Sequence, residues 1–155
     1  VYKRQLLDFR TYINDKGEED GPLFDRRTRR RMIFFEFDSP SKLGKQTFIR
    51  QFCDTCHAKL MPGEEAFAFI DITSTWTRRE GILITNRGFY LSESCNAVRP
   101  GSPLLYERIS RIVCDPVMKI EYDGAIVKPK LPSNEKIRNF LIFSCMYFKF
   151  GQFEE

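Results

Sequence analysis

The residues best equipped for chemistry stand together at Cys53-Asp54-Thr55-Cys56-His57, a Cys-x-x-Cys-His run. In that order two thiols can add to the vinyl groups of haem while the adjacent imidazole ligates the iron. The same side chains, Cys53, Cys56 and His57, offer three ligands to a zinc ion, with Cys95 or Cys114 as a fourth. A usual four-ligand zinc module carries a second Cys-x-x-Cys or His pair, and this chain has none. A redox dithiol is a third possibility. It needs a helix N-terminus to hold its thiolate, and this pair falls late in its helix. A plainer reading places Cys53 and Cys56 on the apolar face of a helix as small hydrophobes. The plainer reading is preferred: no cofactor and no metal are expected, with Cys53, Cys56 and His57 kept as candidate ligands.

Acid–base or nucleophilic catalysis finds little material. His57 is the single histidine, so no Ser–His or Cys–His arrangement forms without it. The carboxylates fall in turns and loops without pairing, and there is no Gly-rich phosphate loop. No enzymatic activity is expected. A second set, Trp76, Arg78 and Arg79, reads most plainly as a solvated loop tip with Trp76 folded onto the domain surface, and as a binding set because Trp and Arg together form typical protein-contact hot spots. Arg87, on the next turn, joins that set. A third is the run Arg26, Arg27, Arg29, Arg30 and Arg31, able to meet nucleic acid or an anionic membrane. Phe34, Phe35 and Phe37 are too close in sequence to form a base-stacking platform beside it, so nucleic acid is disfavoured and a solvated linker preferred.

The whole chain bounds these choices. Its 155 residues fit one ordinary domain with room for a tail. With 42% hydrophobic and 30% charged residues it can bury a core, which excludes wholesale disorder. No apolar run approaches the ~18–20 residues of a membrane span, and no self-similar period marks a repeat protein. The net charge of +4 is too weak to argue for nucleic acid by itself. Five cysteines, Cys53, Cys56, Cys95, Cys114 and Cys145, are an odd number, which suits reduced thiols in a cytoplasm better than a disulfide scaffold. The opening residues carry no signal-peptide pattern. A chain opening on Val1 is expected to be a fragment or a processed product, and residues 1–5 carry no weight here.

The elements that must position these residues divide the chain near residue 40. Residues 1–45 hold eleven Lys or Arg against eight Asp or Glu, three of the four net positive charges. The acidic stretch Asp15 to Gly21 precedes the arginine run, and neither is amphipathic. Residues 1–40 therefore read as a basic, poorly ordered extension, with Met32–Phe37 a short strand or a hydrophobic anchor. Ser39-Pro40 is a helix start. Ile49, Phe52, Cys53, Cys56 and Leu60 then follow one helical face until Pro62-Gly63. From residue 64 the pattern is strands. Ala66–Thr73 is expected to place Phe67 and Phe69 on one face, and Gly81–Thr85 and Phe89–Leu91 flank Asn86-Arg87-Gly88, where Gly88 offers a positive φ. Leu104–Val113, Val117–Tyr122 and Ala125–Val127 follow, the last two joined by an Asp123-Gly124 hairpin turn. A last helix, capped by Ser133, puts Ile137, Phe140, Leu141, Ser144, Cys145 and Phe148 on one face and ends at Gly151. The fold class is α+β, mainly β, with six or seven antiparallel strands between two helices.

Three stretches resemble the small bacterial pleckstrin-homology-like domains. The first is the Pro62-Gly63-Glu64-Glu65 lead into Ala66-Phe67-Ala68-Phe69-Ile70-Asp71. The second is the hairpin Arg79-Glu80-Gly81-Ile82-Leu83-Ile84-Thr85-Asn86-Arg87-Gly88-Phe89-Tyr90, and the third is Tyr106-Glu107-Arg108-Ile109-Ser110-Arg111-Ile112. The resemblance covers about residues 42–150, and residues 1–40 fall outside it. It implies two bent, nearly orthogonal sheets closed by the last helix, spanning a domain of about 41–153. It also implies a non-catalytic interaction or scaffold module, here with a protein partner. The alternative it implies is a peripheral binder of anionic membrane through Trp76, Arg78 and Arg79, since basic residues in that loop grip anionic headgroups in lipid-binding relatives. A metal or haem site at Cys53, Cys56 and His57 is the second alternative.

Overall fold

Strand Gly81–Thr85 is buried along its entire length. A strand without a solvated side needs cover on both faces, and this requirement organises the molecule. The computed structural model describes residues 8–13, 15, 32–34, 45–56, 58–71, 81–92, 103–114, 116–129 and 135–150. Helix α1 covers residues 8–13. Strand β1 is Met32–Phe34, and helix α2 is Lys45–Cys56. Strands β2 (Ala66–Asp71), β3 (Gly81–Thr85), β4 (Gly88–Leu91) and β5 (Leu104–Leu105) follow. A 3-10 turn, Tyr106–Arg108, leads to β6 (Ile109–Val113), β7 (Lys119–Tyr122) and β8 (Ala125–Val127), and helix α3 is Glu135–Phe150.

The fold is α+β and mainly strand, with two antiparallel sheets between an earlier helix and a C-terminal one. The larger sheet has the order β1-β2-β3-β4-β5 and the smaller β6-β7-β8. Among the described residues from 64 onward there are seven strands, and β1 adds an eighth by pairing with β2 at Met32↔Ile70 and Phe34↔Ala68.

Alternation along the strands sends side chains to two separate cores. Phe69, Leu83 and Tyr90 pack with Phe48, Ile49, Phe52 and Cys53 of α2. Phe67, Ile70, Ile82, Ile84, Phe89 and Leu91 face the opposite way, onto Ile109, Ile112 and Ile120 of the smaller sheet and Ile137, Phe140, Leu141 and Phe148 of α3. Phe48 and Phe52 meet Phe69 edge-on, with ring centroids 5.0 and 5.4 Å away. The helical face expected on α3 is buried as read, including Ser144, whose hydroxyl donates to the Phe140 carbonyl at 2.8 Å.

Several local expectations are corrected. Phe67 and Phe69 lie on opposite faces, because the register slips between Ala66 and Ala68. That β-bulge puts Phe67 and Ala68 on the same side and reverses the alternation. Helix α2 ends at Cys56 instead of continuing to Pro62, and the Ala58 amide donates to the Cys53 carbonyl at 2.8 Å. Leu60 reaches the α2 core from beyond the helix. The Ser39-Pro40 start and the Ser133 cap lie outside the described residues. Leu104–Val113 is two strands in different sheets, because the 3-10 turn at Tyr106 carries the chain from one sheet to the other. Gly88 has no positive φ. It is small because a Cβ there would sit 2.3 Å from the Leu104 carbonyl oxygen across β4–β5. The Asp123-Gly124 turn behaves as read, with φ of 54° and 82°, the positive pair of a type I′ hairpin.

The main core also contains residues from the stretch read as an extension. Phe9 and Ile13 of α1 are fully buried. Phe9 meets Phe67 edge-on at 5.6 Å and lies against Phe148 at 5.3 Å. Replacing such a ring with a methyl group forfeits its burial and leaves a cavity, at about 3–5 kcal/mol. Phe9→Ala is therefore expected to lower the urea midpoint sharply, whereas an unchanged midpoint would contradict the placement of α1 in the core.

Candidate functional site

The first cleft grows from the Met61-Pro62-Gly63-Glu64 turn. Pro62 favours its position, Gly63 supplies φ of +82°, and the Glu64 amide donates to the Met61 carbonyl at 2.9 Å. This turn aims Glu64 back at the larger sheet. Glu64 Oε1 accepts from the Met61 amide at 2.9 Å and the Tyr90 hydroxyl at 3.0 Å. Its Oε2 accepts from the Thr85 hydroxyl at 2.7 Å. Thr85 Oγ1 in turn accepts from the amides of Arg87 and Gly88, at 3.1 and 3.2 Å, and so shapes the β3–β4 turn. Asn86 fastens the two turns together. Its amide donates to the Glu65 carbonyl at 3.1 Å, and its Oδ1 accepts from the Glu65 amide at 3.0 Å.

The far wall is built from Tyr106 and the end of α3. The buried Tyr106 hydroxyl donates to the Thr85 carbonyl at 2.5 Å, and its ring stacks on Phe148 at 5.0 Å and 14°. These walls enclose a cleft of about 510 Å³, lined by Met61, Glu64, Asn86, Arg87, Leu105, Tyr106, Glu107 and Lys149 among others. Its charged lining is balanced, with Glu64 and Glu107 against Arg87 and Lys149.

Lys149 also closes one end of a second groove. Its ammonium donates to the Ile109 carbonyl at the start of β6. Beyond it a groove of about 340 Å³ runs between β6 and α3, lined by Ile109, Ser110, Arg111, Ile112, Ile142, Cys145, Met146 and Lys149. The lining is mainly apolar, and its charged members are both cations. Among the described residues no strand pairs with the other edge of β6. Burial pushes the Cys145 thiol up to about 12, with Lys149 opposing, so the sulfur is a neutral part of the wall.

Of the binding and ligand candidates singled out in the sequence, the structure describes the side chains of Arg87, Cys53 and Cys114. Arg87 is exposed on the β3–β4 turn and lines the first cleft, beside the Tyr90 hydroxyl. Trp76, Arg78 and Arg79 lie outside the described residues, in the link from β2 to β3. Arg26, Arg27, Arg29, Arg30 and Arg31 also lie outside the described residues. Cys53 is buried on the α2 side of the larger sheet. Cys114 is buried in the other core, so the sheet separates it from Cys53. The side chain of Cys56, and Cys95 and His57 entirely, lie outside the described residues. Among the described residues no three His, Cys, Asp or Glu side chains are placed to hold a metal ion, and no helix is long and apolar enough to cross a membrane.

Sequence reasoning passed over Glu64, Tyr106, Met146 and Lys149 as site residues. Pro62-Gly63 ahead of Glu64 was the available signal for the turn. Lys149, four residues after Cys145, follows the buried face of α3 to its polar end. No protein-family model, curated protein or solved structure matches the chain.

The tyrosines of this site give a pH prediction. Burial raises the Tyr90 phenol above its ordinary 10.0, the Glu64 carboxylate adds to the rise, and Arg87 opposes it. Burial also raises Tyr106 well above 10.0. A folded-state value above the unfolded one contributes stability that is fully present below about pH 10 and is lost as pH rises beyond it. Tyrosinate absorbance is expected to show these two phenols ionising only as the chain unfolds in alkali. Ionisation of all six tyrosines near pH 10, with native circular dichroism retained, would contradict the site.

Proposed function

We propose that this chain is a non-catalytic interaction module of pleckstrin-homology-like type that binds a protein partner. The observation that carries the reading is the edge of β6 left unpaired among the described residues, beside a mainly apolar groove under α3. A free strand edge offers backbone donors and acceptors to an extended segment, and an adjoining groove takes its side chains. Met146, 37% exposed on the rim, is the flexible, polarisable side chain that adapts to varied partners. The 4–5 residues that β6 could pair make such contacts modest and suit a reversible module. The odd count of five cysteines fits a reducing, cytoplasmic setting.

Selection of displayed random octapeptides on the purified chain, followed by amide-shift mapping, tests this reading. Selected peptides are expected to shift residues 109–113 and 142–149, and Met146→Glu is expected to weaken them about tenfold while circular dichroism stays native. Enrichment of no peptide, with salt-sensitive sedimentation on acidic vesicles, would favour the membrane reading through Trp76, Arg78 and Arg79 instead.

A further inference from the structure

We infer that the β6–α3 groove selects an acidic extended segment that carries at least one apolar side chain. The inference rests on the strand-docking reading above and adds the chemistry of the partner. The apolar requirement comes from the groove's surface: Ile112, Ile142 and Met146 present carbon to any side chain that enters. An entering side chain made only of polar groups would lose hydration there with little in return.

The acidic requirement comes from charge. Arg111 and Lys149 are the charged residues among the described residues lining the groove, and no carboxylate is among them. The nearest acidic side chain named by the strand register is Glu121, opposite Arg111 on β7. Its carboxylate accepts weakly from Ser110 Oγ at 3.4 Å, and it stands on the inner neighbour of β6, so it does not line the path of an added strand. Lys149 is pinned at the β6 start through the Ile109 carbonyl and retains two N–H groups for a ligand. Arg111 is exposed two residues further along β6, and its guanidinium can take a carboxylate with paired hydrogen bonds. Two cations spaced along one strand edge would repel a basic segment and steer an acidic one. The first cleft lacks this preference, because Glu64 and Glu107 offset Arg87 and Lys149 there.

The octapeptides selected on the wild-type chain are read for composition, and the best is measured in low and high salt. An excess of Asp and Glu flanking an apolar residue, binding that weakens with salt, and amide shifts on β6 are expected. Arg111→Gln, a surface change that leaves both cores intact, is expected to weaken the acidic peptide roughly two- to fivefold and to flatten its salt dependence. Peptides that map to the groove without acidic excess would overturn this inference and leave the docking reading standing. Peptides that map elsewhere, or no enrichment at all, would overturn the docking reading and this inference with it.

Discussion

The need to cover β3 on both faces governs the rest of the molecule. A central strand of Gly-Ile-Leu-Ile-Thr offers apolar side chains to both sides, and a sheet left bare on one face would expose the equivalent of a core. Helix α2 answers on one side through Phe48, Phe52 and Cys53. The smaller sheet, α3 and α1 answer on the other. Each fully buried large side chain contributes about 1.5–3 kcal/mol, so the two cores together outweigh any single polar contact. Cys53 is buried in that α2 cluster.

Covering the larger sheet fixes where free surface remains. The chain must leave that sheet to build the lid over its second face, and it does so at the 3-10 turn. Tyr106 secures the crossing by bonding back to the Thr85 carbonyl and stacking on Phe148. The smaller sheet therefore starts with β6 lying beside α3, with one edge unpaired among the described residues. The groove follows from the topology, and Lys149 and Arg111 give it a sign. The Glu64 network has a different task. It ties the turn before β2 to the turn after β3, so the wall of the first cleft is held by part-buried hydrogen bonds as well as by packing.

Much of this was legible in residue types. The i, i+3, i+4 repeat through α3 identified its buried face, and Asp123-Gly124 identified the hairpin by its turn chemistry. What escaped was set by tertiary context. Ala-Phe-Ala-Phe-Ile reads the same with or without a bulge, so the opposite facing of Phe67 and Phe69 could not be seen. The three-residue spacing of Tyr106, Ile109 and Ile112 matches no strand alternation, and it is explained by the turn at 106–108 and the register slip between Ile109 and Arg111. Phe9 and Ile13 were hidden by the charged residues around them. The candidate site was the least legible part, since its members come from positions as distant as Glu64 and Lys149. Of the residues first chosen for binding, Arg87 is the one the structure describes, and it lies on the first cleft.

Hydrogen exchange of the free chain, followed amide by amide, tests this account most directly. The buried Ile82, Leu83 and Ile84 of β3 should exchange only when the whole molecule unfolds. Amides in residues 110–113 that point away from β7 should exchange through local opening, at least an order of magnitude faster. Equal protection of β6 and β3 would show the β6 edge to be covered in the native molecule, leaving no place for a partner strand to add.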